Sequence, residues 1–245
     1  MTYLIADIHG CFQEFCALLK KIDFSETDEL FILGDAMDRG PAPIRTLQSL
    51  MRCPNINYIL GNHDMAALSV LRPLLAEITD DSIERLPKDL FLRYAEWMQN
   101  GGAVTLRQFR ELPRDQQEDL LNYLEEASLY ETIAHEDRLF VLVHAGLDRF
   151  DPAKELEDYA AEDFLFARAD YGKAYFPGSR IFLVTGHTPT ALIRPDRQPR
   201  IYQENGHIAI DCGCVFGGAL AAYCIETGEA VYVDSMQQTG GQGGS

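Results

Sequence analysis

The chain has 245 residues, 47% apolar and 24% charged, the balance of a folded globular protein and not of a disordered or fibrous one. Its 21 basic against 38 acidic residues leave a formal charge of −17, which repels nucleic-acid backbones and anionic membranes unless a local basic pocket overrides the field. No run approaches the ~20 apolar residues that span a bilayer, and the opening MTYLIADIHG reads as a first strand and not as a signal peptide. No nucleic-acid or membrane partner is therefore expected, and a cytoplasmic address is.

Short apolar runs at residues 3–6, 30–33 and 56–60 have the length and bounding residues of buried strands. Residues 13–22 and 44–51 between them read as helices, so the first sixty residues are β-α-β-α-β. Each strand runs directly into a short polar motif: DIHG at 7–10, GDAMDRG at 34–40, GNHD at 61–64. Loops at the carboxyl ends of such strands are where ligands gather. Residues 65–126 then read as a helical insertion or cap, interrupted at Asn100, Gly101 and Gly102 and at Pro113. The lone Trp97 in it is expected in the core of that cap, with a substrate groove as the less favoured place.

Runs at 129–134 and 139–143 flank a turn and read as a hairpin that delivers VHAG at 143–146, and 181–185 delivers GHT at 186–188. Segments 200–203, 208–212, 220–226 and 230–233 are expected as a β-meander with turns at Asn205-Gly206 and at 227–229. The tail at 237–245 is glycine- and glutamine-rich and expected to be disordered. Most of the six cysteines read as reduced core residues; Cys212 and Cys214 could be a redox pair or soft ligands, with tight packing the favoured reading.

The five motifs supply carboxylate, imidazole and amide oxygen ligands of the kind a pair of divalent metals needs. Asp7 and His9, two residues apart at a strand end, project to one side and can chelate one ion. Asp35 has two oxygens with which to bridge two ions. Asp38 suits the orientation of an imidazole, and the fork of Arg39 matches phosphate oxygens; a surface ion pair is their bland alternative. Asn62 can ligate without adding charge, and His63 can serve as general acid. His144 and His187 complete a nitrogen-rich second site. Four of the six histidines fall in glycine-flanked turns after strands; His135 and His207 are assigned only solvation.

In this order, DIHG, GDAMDRG, GNHD, HAG and GHT resemble the motifs of PPP-type metallophosphoesterases (calcineurin-like phosphoesterases), especially bacterial and phage serine/threonine protein phosphatases. The likeness extends to NGG at 100–102, LFARADYGK at 165–173 and IDCGCVFGGALA at 210–221, and so covers nearly all of the chain except its tail. It implies an α/β (α+β) fold of two packed mixed β-sheets flanked by helices, as one domain over 1–236. It also implies two divalent ions, manganese foremost with iron or zinc as alternatives. Asp7, His9 and Asp35 would hold the first ion; Asp35, Asn62, His144 and His187 the second. His63 would be the acid oriented by Asp38, and Arg39 and Arg168, with Asn62, would bind the substrate phosphate. The implied reaction is direct attack by a metal-bridging hydroxide, without a covalent phosphoenzyme.

On substrate the resemblance is divided. Asp64 stands where protein phosphatases carry glutamate and matches the dinucleoside tetraphosphate hydrolases, as do TYLIADIHGC and DCGCVFGG; DRG, GHT and LFAR match the bacterial protein phosphatases. Phosphoserine and phosphothreonine in proteins, or small phosphoesters, are the expected substrates. Bis(5′-nucleosyl)-tetraphosphate or related nucleotide hydrolysis is the alternative, and a silent phosphoprotein-binding module a distant third.

Overall fold

Side-chain alternation along the strands divides the apolar residues between two faces, and that division builds the layers. In the computed structural model, which describes residues 1–75 and 87–237, β1 (Thr2–Ile5) aims Leu4 between the two sheets and Ile5 outward. β2 (Glu29–Leu33) likewise aims Phe31 and Leu33 inward and Leu30 and Ile32 outward. Successive strand residues point to opposite faces, so an unbroken apolar run marks a strand covered on both sides.

The outer face of the first sheet is covered by α1 (Phe12–Lys21), α2 (Pro43–Met51) and α3 (Asn62–Leu75), which bury Phe15, Leu18, Leu47, Val70 and Leu71 against it. The helices Leu90–Trp97, Ala103–Phe109 and Arg114–Glu125 add Trp97, Phe109, Leu120, Leu121 and Leu124 to that same core. The expected insertion at 65–126 is mostly helical where it is described, with turns at 87–89 and 110–113, and packs with the layer on the first sheet; residues 76–86 of it, and the tail at 238–245, lie outside the described residues.

The first sheet has the order β10-β9-β1-β2-β3, where β3 is Ile56–Ile59, β9 Ala219–Cys224 and β10 Ala230–Asp234; β1, β2 and β3 run parallel. The second has the order β4-β5-β6-β8-β7, with β4 Tyr130–His135, β5 Arg138–Val143, β6 Ile181–Thr185, β7 Tyr202–Glu204 and β8 His207–Ala209. There β5, β6 and β8 are parallel. Phe140, Leu142, Val184 and Ile208 meet Leu4, Phe31 and Leu33 between the sheets, while Val141, Val143 and Leu183 face Phe164 and Tyr175 outside. Two mixed five-stranded sheets packed face to face and flanked by helices are the fold expected from the sequence.

The expected β-meander is corrected. Its first two strands, β7 and β8, close the edge of the second sheet, and its last two, β9 and β10, close the edge of the first. The change of sheet is made in the glycine-rich turn after β8, where Gly213 and Gly217 have φ of 66° and 86°, a left-handed conformation open to glycine at no steric cost. The turn also separates the two cysteines whose pairing was in question: Cys212 lies in the core between the sheets and Cys214 in the core under the helices. Cys214 sits instead beside Cys11 and Glu14, and all six cysteines are free thiols.

Candidate metal centre

Every motif residue is carried past the carboxyl end of a parallel strand, and the parallel strands of both sheets end at one edge. The turns are sharp: Asp7, His9, Asp35, Asp38, Arg39 and His187 all have φ between 43° and 67°, a region that non-glycine residues seldom occupy and that clusters at functional sites. The edge is stitched across the sandwich. The backbone N–H of His187, after β6, donates to Asp7 Oδ2, after β1, at 2.9 Å. The ring Nδ1 of His144, after β5, donates to the carbonyl of Leu33 in β2 at 2.8 Å. Glycine is required where these loops touch: a Cβ at Gly61 would strike Asp35, and one at Gly186 would strike the Asp7 carboxylate.

The donor set converges on Asp35. A carbonyl can only accept, so in the neutral His144 ring the Leu33 contact puts the proton on Nδ1 and leaves Nε2 a bare lone pair. That lone pair faces Asn62 Oδ1 at 2.9 Å and Asp35 Oδ2 at 3.5 Å, and His187 Nδ1 lies 2.8 Å from the same Asn62 oxygen and 3.2 Å from His144 Nε2. Several acceptors pointed at one another in a buried space are unfavourable unless a cation lies among them, so the chemistry of this knot fits a metal ion. A second group adjoins it. His9 Nδ1 donates to the Met37 carbonyl at 2.7 Å, leaving Nε2 toward Asp35 Oδ2 at 3.6 Å. His9, Asp35 and His63 form one cluster able to hold an ion, and Asp35, His144 and His187 another; Asp35 is common to both.

Asp7 is buried beside this pair and touches it through His187. Burial first, then the carboxylates of Asp211 and Asp35, push its carboxyl well up. Burial acts on Asp35 in the same sense, but the imidazoles of His144, His63 and His9 outweigh it and hold that carboxyl below the usual range. Burial lowers His9 and His187 to about 3, with Arg39 adding to the effect at His9 and His144 at His187. Neutral rings are the form that ligates.

His63 is held differently. Its Nδ1 meets a carboxylate, Asp38 Oδ2, at 2.8 Å, and although burial is the largest influence and lowers its pKa, the Asp38 hydrogen bond and the charges of Asp35 and Asp38 together outweigh it, for a net rise. Asp38 is fully buried and further fixed by the Trp97 indole N–H at 2.9 Å and the Thr105 hydroxyl at 2.7 Å. The surface ion pair considered for Asp38 and Arg39 is thereby excluded. Trp97 is in the core, as favoured, and also reaches the site through that indole hydrogen bond. The Arg39 guanidinium forks between His9 Nε2 at 2.5 Å and His63 Nε2 at 2.7 Å. Arg168 donates to Thr188 Oγ1 at 3.3 Å and lines, with Arg39 and His187, two adjoining cavities of about 670 and 590 Å³.

Three residues escaped the sequence reading. Asp211 is buried at the end of β8 beside Asp7, and burial pushes its carboxyl up to about 7; it follows an apolar run as Asp7 and Asp35 do, and that signal was available in IDCG. Thr105 and Tyr58 carry no motif, because their roles arise only from packing. Asp64, weighed above for substrate choice, faces away from the cavity: its Oδ2 accepts from Tyr58 at 2.7 Å and from the backbone N–H groups of Asp35 and Gly61 at 2.9 Å each. It clamps the two loops together and has no contact through which it could read a substrate. His207 is also corrected: it is buried against Tyr171, with Nε2 2.8 Å from Thr185 Oγ1, so solvation does not describe it.

The family description for calcineurin-like phosphoesterases matches residues 2–219. The chain belongs to that family. The asymmetrical bis(5′-nucleosyl)-tetraphosphatase PrpE of Geobacillus sp. (strain WCH70) is 29% identical over 260 residues, covering 95% of this chain and 93% of its own. The symmetrical bis(5′-nucleosyl)-tetraphosphatase of Cellvibrio japonicus (strain Ueda107) is 29% identical over 290 residues, covering 94% and 97%. Among solved structures, that of a candidate diadenosine tetraphosphatase superposes with a TM-score of 0.63 at 20% identity, over 96% of this chain and 93% of that one, a likeness of fold. The protein is thus a metal-dependent phosphoesterase by family, and no helix among its described residues is long and apolar enough to cross a membrane.

Proposed function

We propose that this phosphoesterase hydrolyses dinucleoside polyphosphates, bis(5′-nucleosyl) tetraphosphates foremost, with residues 1–236 acting as one catalytic unit. The observation that carries the substrate choice is the similarity, over nearly the full length of each chain, to two proteins named as tetraphosphatases of this kind. Phosphoserine and phosphothreonine in proteins, the substrates first expected, become the second reading. What favours it is the likeness of the LFAR segment to bacterial protein phosphatases, with its Arg168 lining the cavity. A silent binding module is disfavoured because every position expected of a catalyst is filled.

In the proposed arrangement Asp7, His9 and Asp35 hold one divalent cation and Asp35, Asn62, His144 and His187 the other, manganese being the ion expected and iron or zinc the alternatives. When bound, the two cations supply Lewis acidity toward phosphoryl oxygens and make water a competent nucleophile near neutral pH. The protein's own groups do the rest. Met37 and Leu33 fix His9 and His144 by accepting from Nδ1, so each ring presents one lone pair in one direction. Arg39 and Arg168 grip the phosphate oxygens with planar forks. Once Arg39 turns from His63 Nε2 to the phosphate, His63, whose charged form Asp38 favours, delivers a proton from Nε2 to the departing oxygen.

The test is the ratio of kcat/KM for diadenosine tetraphosphate to that for a phosphothreonine peptide, measured on manganese-loaded protein at matched concentrations. A strong preference for the dinucleotide is expected. Preference for the peptide would replace this reading by the second.

A further inference from the structure

The phosphate grip is shared by two cavities. The larger is lined by Asp35, Asn62, His63, Trp97 and Phe166 among others, and the smaller by Pro189, Leu192, Arg197, Asp211, Phe216 and Pro199 among others. Arg39, Arg168 and His187 line both. Beyond those three residues the smaller one is lined by side chains with no role assigned above, and an aromatic ring is held up at its edge. Phe216 is 61% exposed, and Leu192 nearby is 66% exposed.

That exposure is built by the backbone. Phe216 closes a tight turn in which its own N–H donates to the Gly213 carbonyl at 3.0 Å, and the N–H groups of Gly217 and Gly218 donate to Cys214 and Gly213 at 3.1 and 3.0 Å. Gly213 and Gly217 take left-handed φ at its two ends, and a Cβ at Gly218 would strike the Cys212 carbonyl. Asp211 Oδ1 accepts the Gly213 N–H at 2.8 Å and anchors the turn to the end of β8. Cys214 is buried and Val215 packs on the helix-side core, which leaves Phe216 alone to project. The Arg39 guanidinium carbon lies 5.2 Å from the centre of its ring, while the same guanidinium reaches His9 and His63. A single side chain therefore joins the ring to the centre of the candidate site.

We infer that the smaller cavity is a nucleoside subsite, with Phe216 as the platform on which a purine base of the substrate stacks and Leu192 and Pro189 as its apolar surroundings. The inference deepens the proposed function and rests on it for the substrate class: a nucleotide whose phosphates are held by Arg39 and Arg168 has its nucleoside within reach of the ring beside them. A base offers its π face whatever its identity, so the platform selects for a nucleoside and not for one particular base. A protein side chain bearing a single phosphate has nothing to place there.

The experiment compares wild type, Phe216→Ala and Phe216→Trp in metal-loaded full-length protein. Removing a stacking aromatic weakens binding by about tenfold, so the ratio of kcat/KM for diadenosine tetraphosphate to that for 4-nitrophenyl phosphate should fall about tenfold in Phe216→Ala, mainly through KM, and return in Phe216→Trp. An unchanged ratio overturns the platform while leaving the proposed function intact. A binding arm separates the two ideas from the other side. Trp97 is the single tryptophan of the chain and is buried, so in Phe216→Trp an exposed indole reports stacking by saturable quenching with a methylene-bridged, non-hydrolysable diadenosine tetraphosphate analogue. Quenching in a protein that cleaves only phosphopeptides would retain the nucleoside subsite and reject the function; absence of quenching rejects the subsite.

Discussion

The histidines of the centre differ in what holds their Nδ1 atoms, and the difference separates their expected phenotypes. His9 and His144 rest on carbonyls, which fix the Nδ1–H tautomer and turn Nε2 toward the candidate metal site, whereas His63 rests on the Asp38 carboxylate, which favours the charged ring. His63→Ala is therefore expected to keep two metals per chain but to lower kcat for an alkyl phosphate by ~10²–10⁴, with a much smaller loss on 4-nitrophenyl phosphate, whose leaving group needs no proton. Equal losses on both would remove His63 from the acid role. Asp35 faces both clusters, so Asp35→Asn should lower metal content by elemental analysis below two ions per chain, and full occupancy would contradict a bridge. These residues were legible because each follows an apolar run and lies within two positions of a glycine. Asp211 had the first signal and not the precedent, and Thr105 had neither; its value comes from meeting Asp38 across 67 positions of sequence.

At the scale of elements, the expected strand at 181–185 is β6, and most of the others fall within a residue or two of their observed bounds. Strands buried on both faces leave an apolar run that needs no tertiary knowledge to see. Connections are less visible. The turn from β8 to β9 changes sheets, and periodicity carries no information about which sheet a strand joins. The loops also depend on contacts that glycine alone permits: Gly61 lies against Asp35 without room for a Cβ. Gly61→Ala should displace Asp35 and reduce metal content while leaving the far-ultraviolet circular dichroism of the apoprotein near that of wild type. A folded Gly61→Ala protein with both ions at full affinity would refute that close approach as a requirement.

For the whole molecule, the centre ties one sheet to the other, since His144 and His187 come from the second sheet and Asp7, Asp35 and Asn62 from the first. Ions bound there should brace the sandwich. At a free metal concentration near a hundred times Kd the stabilisation is ~2.7 kcal/mol per site, which in a chain of this length corresponds to a Tm rise of roughly 5–10 °C. Chelation, which removes both ions, should lower the Tm of wild type by about twice that, roughly 10–20 °C, and the Tm of Asp35→Asn by much less. Equal shifts in both proteins would place the stabilising ion elsewhere. The charge of −17 adds to this expectation, because cations offset self-repulsion among the acids.

By itself the sequence determined most of the strands and helices, the strand-end loops and the candidate ligand types in them, because burial on two faces and strand-end motifs leave local signatures; the two-sheet arrangement was legible only through the family resemblance. Only the tertiary structure decided which sheet each late strand joins, that Trp97 and Thr105 fix Asp38, that Asp64 clamps loops and does not line the cavity, and that Phe216 stands beside Arg39. Each of those depends on residues far apart in the chain meeting at one edge of the sandwich, and no local pattern records such a meeting.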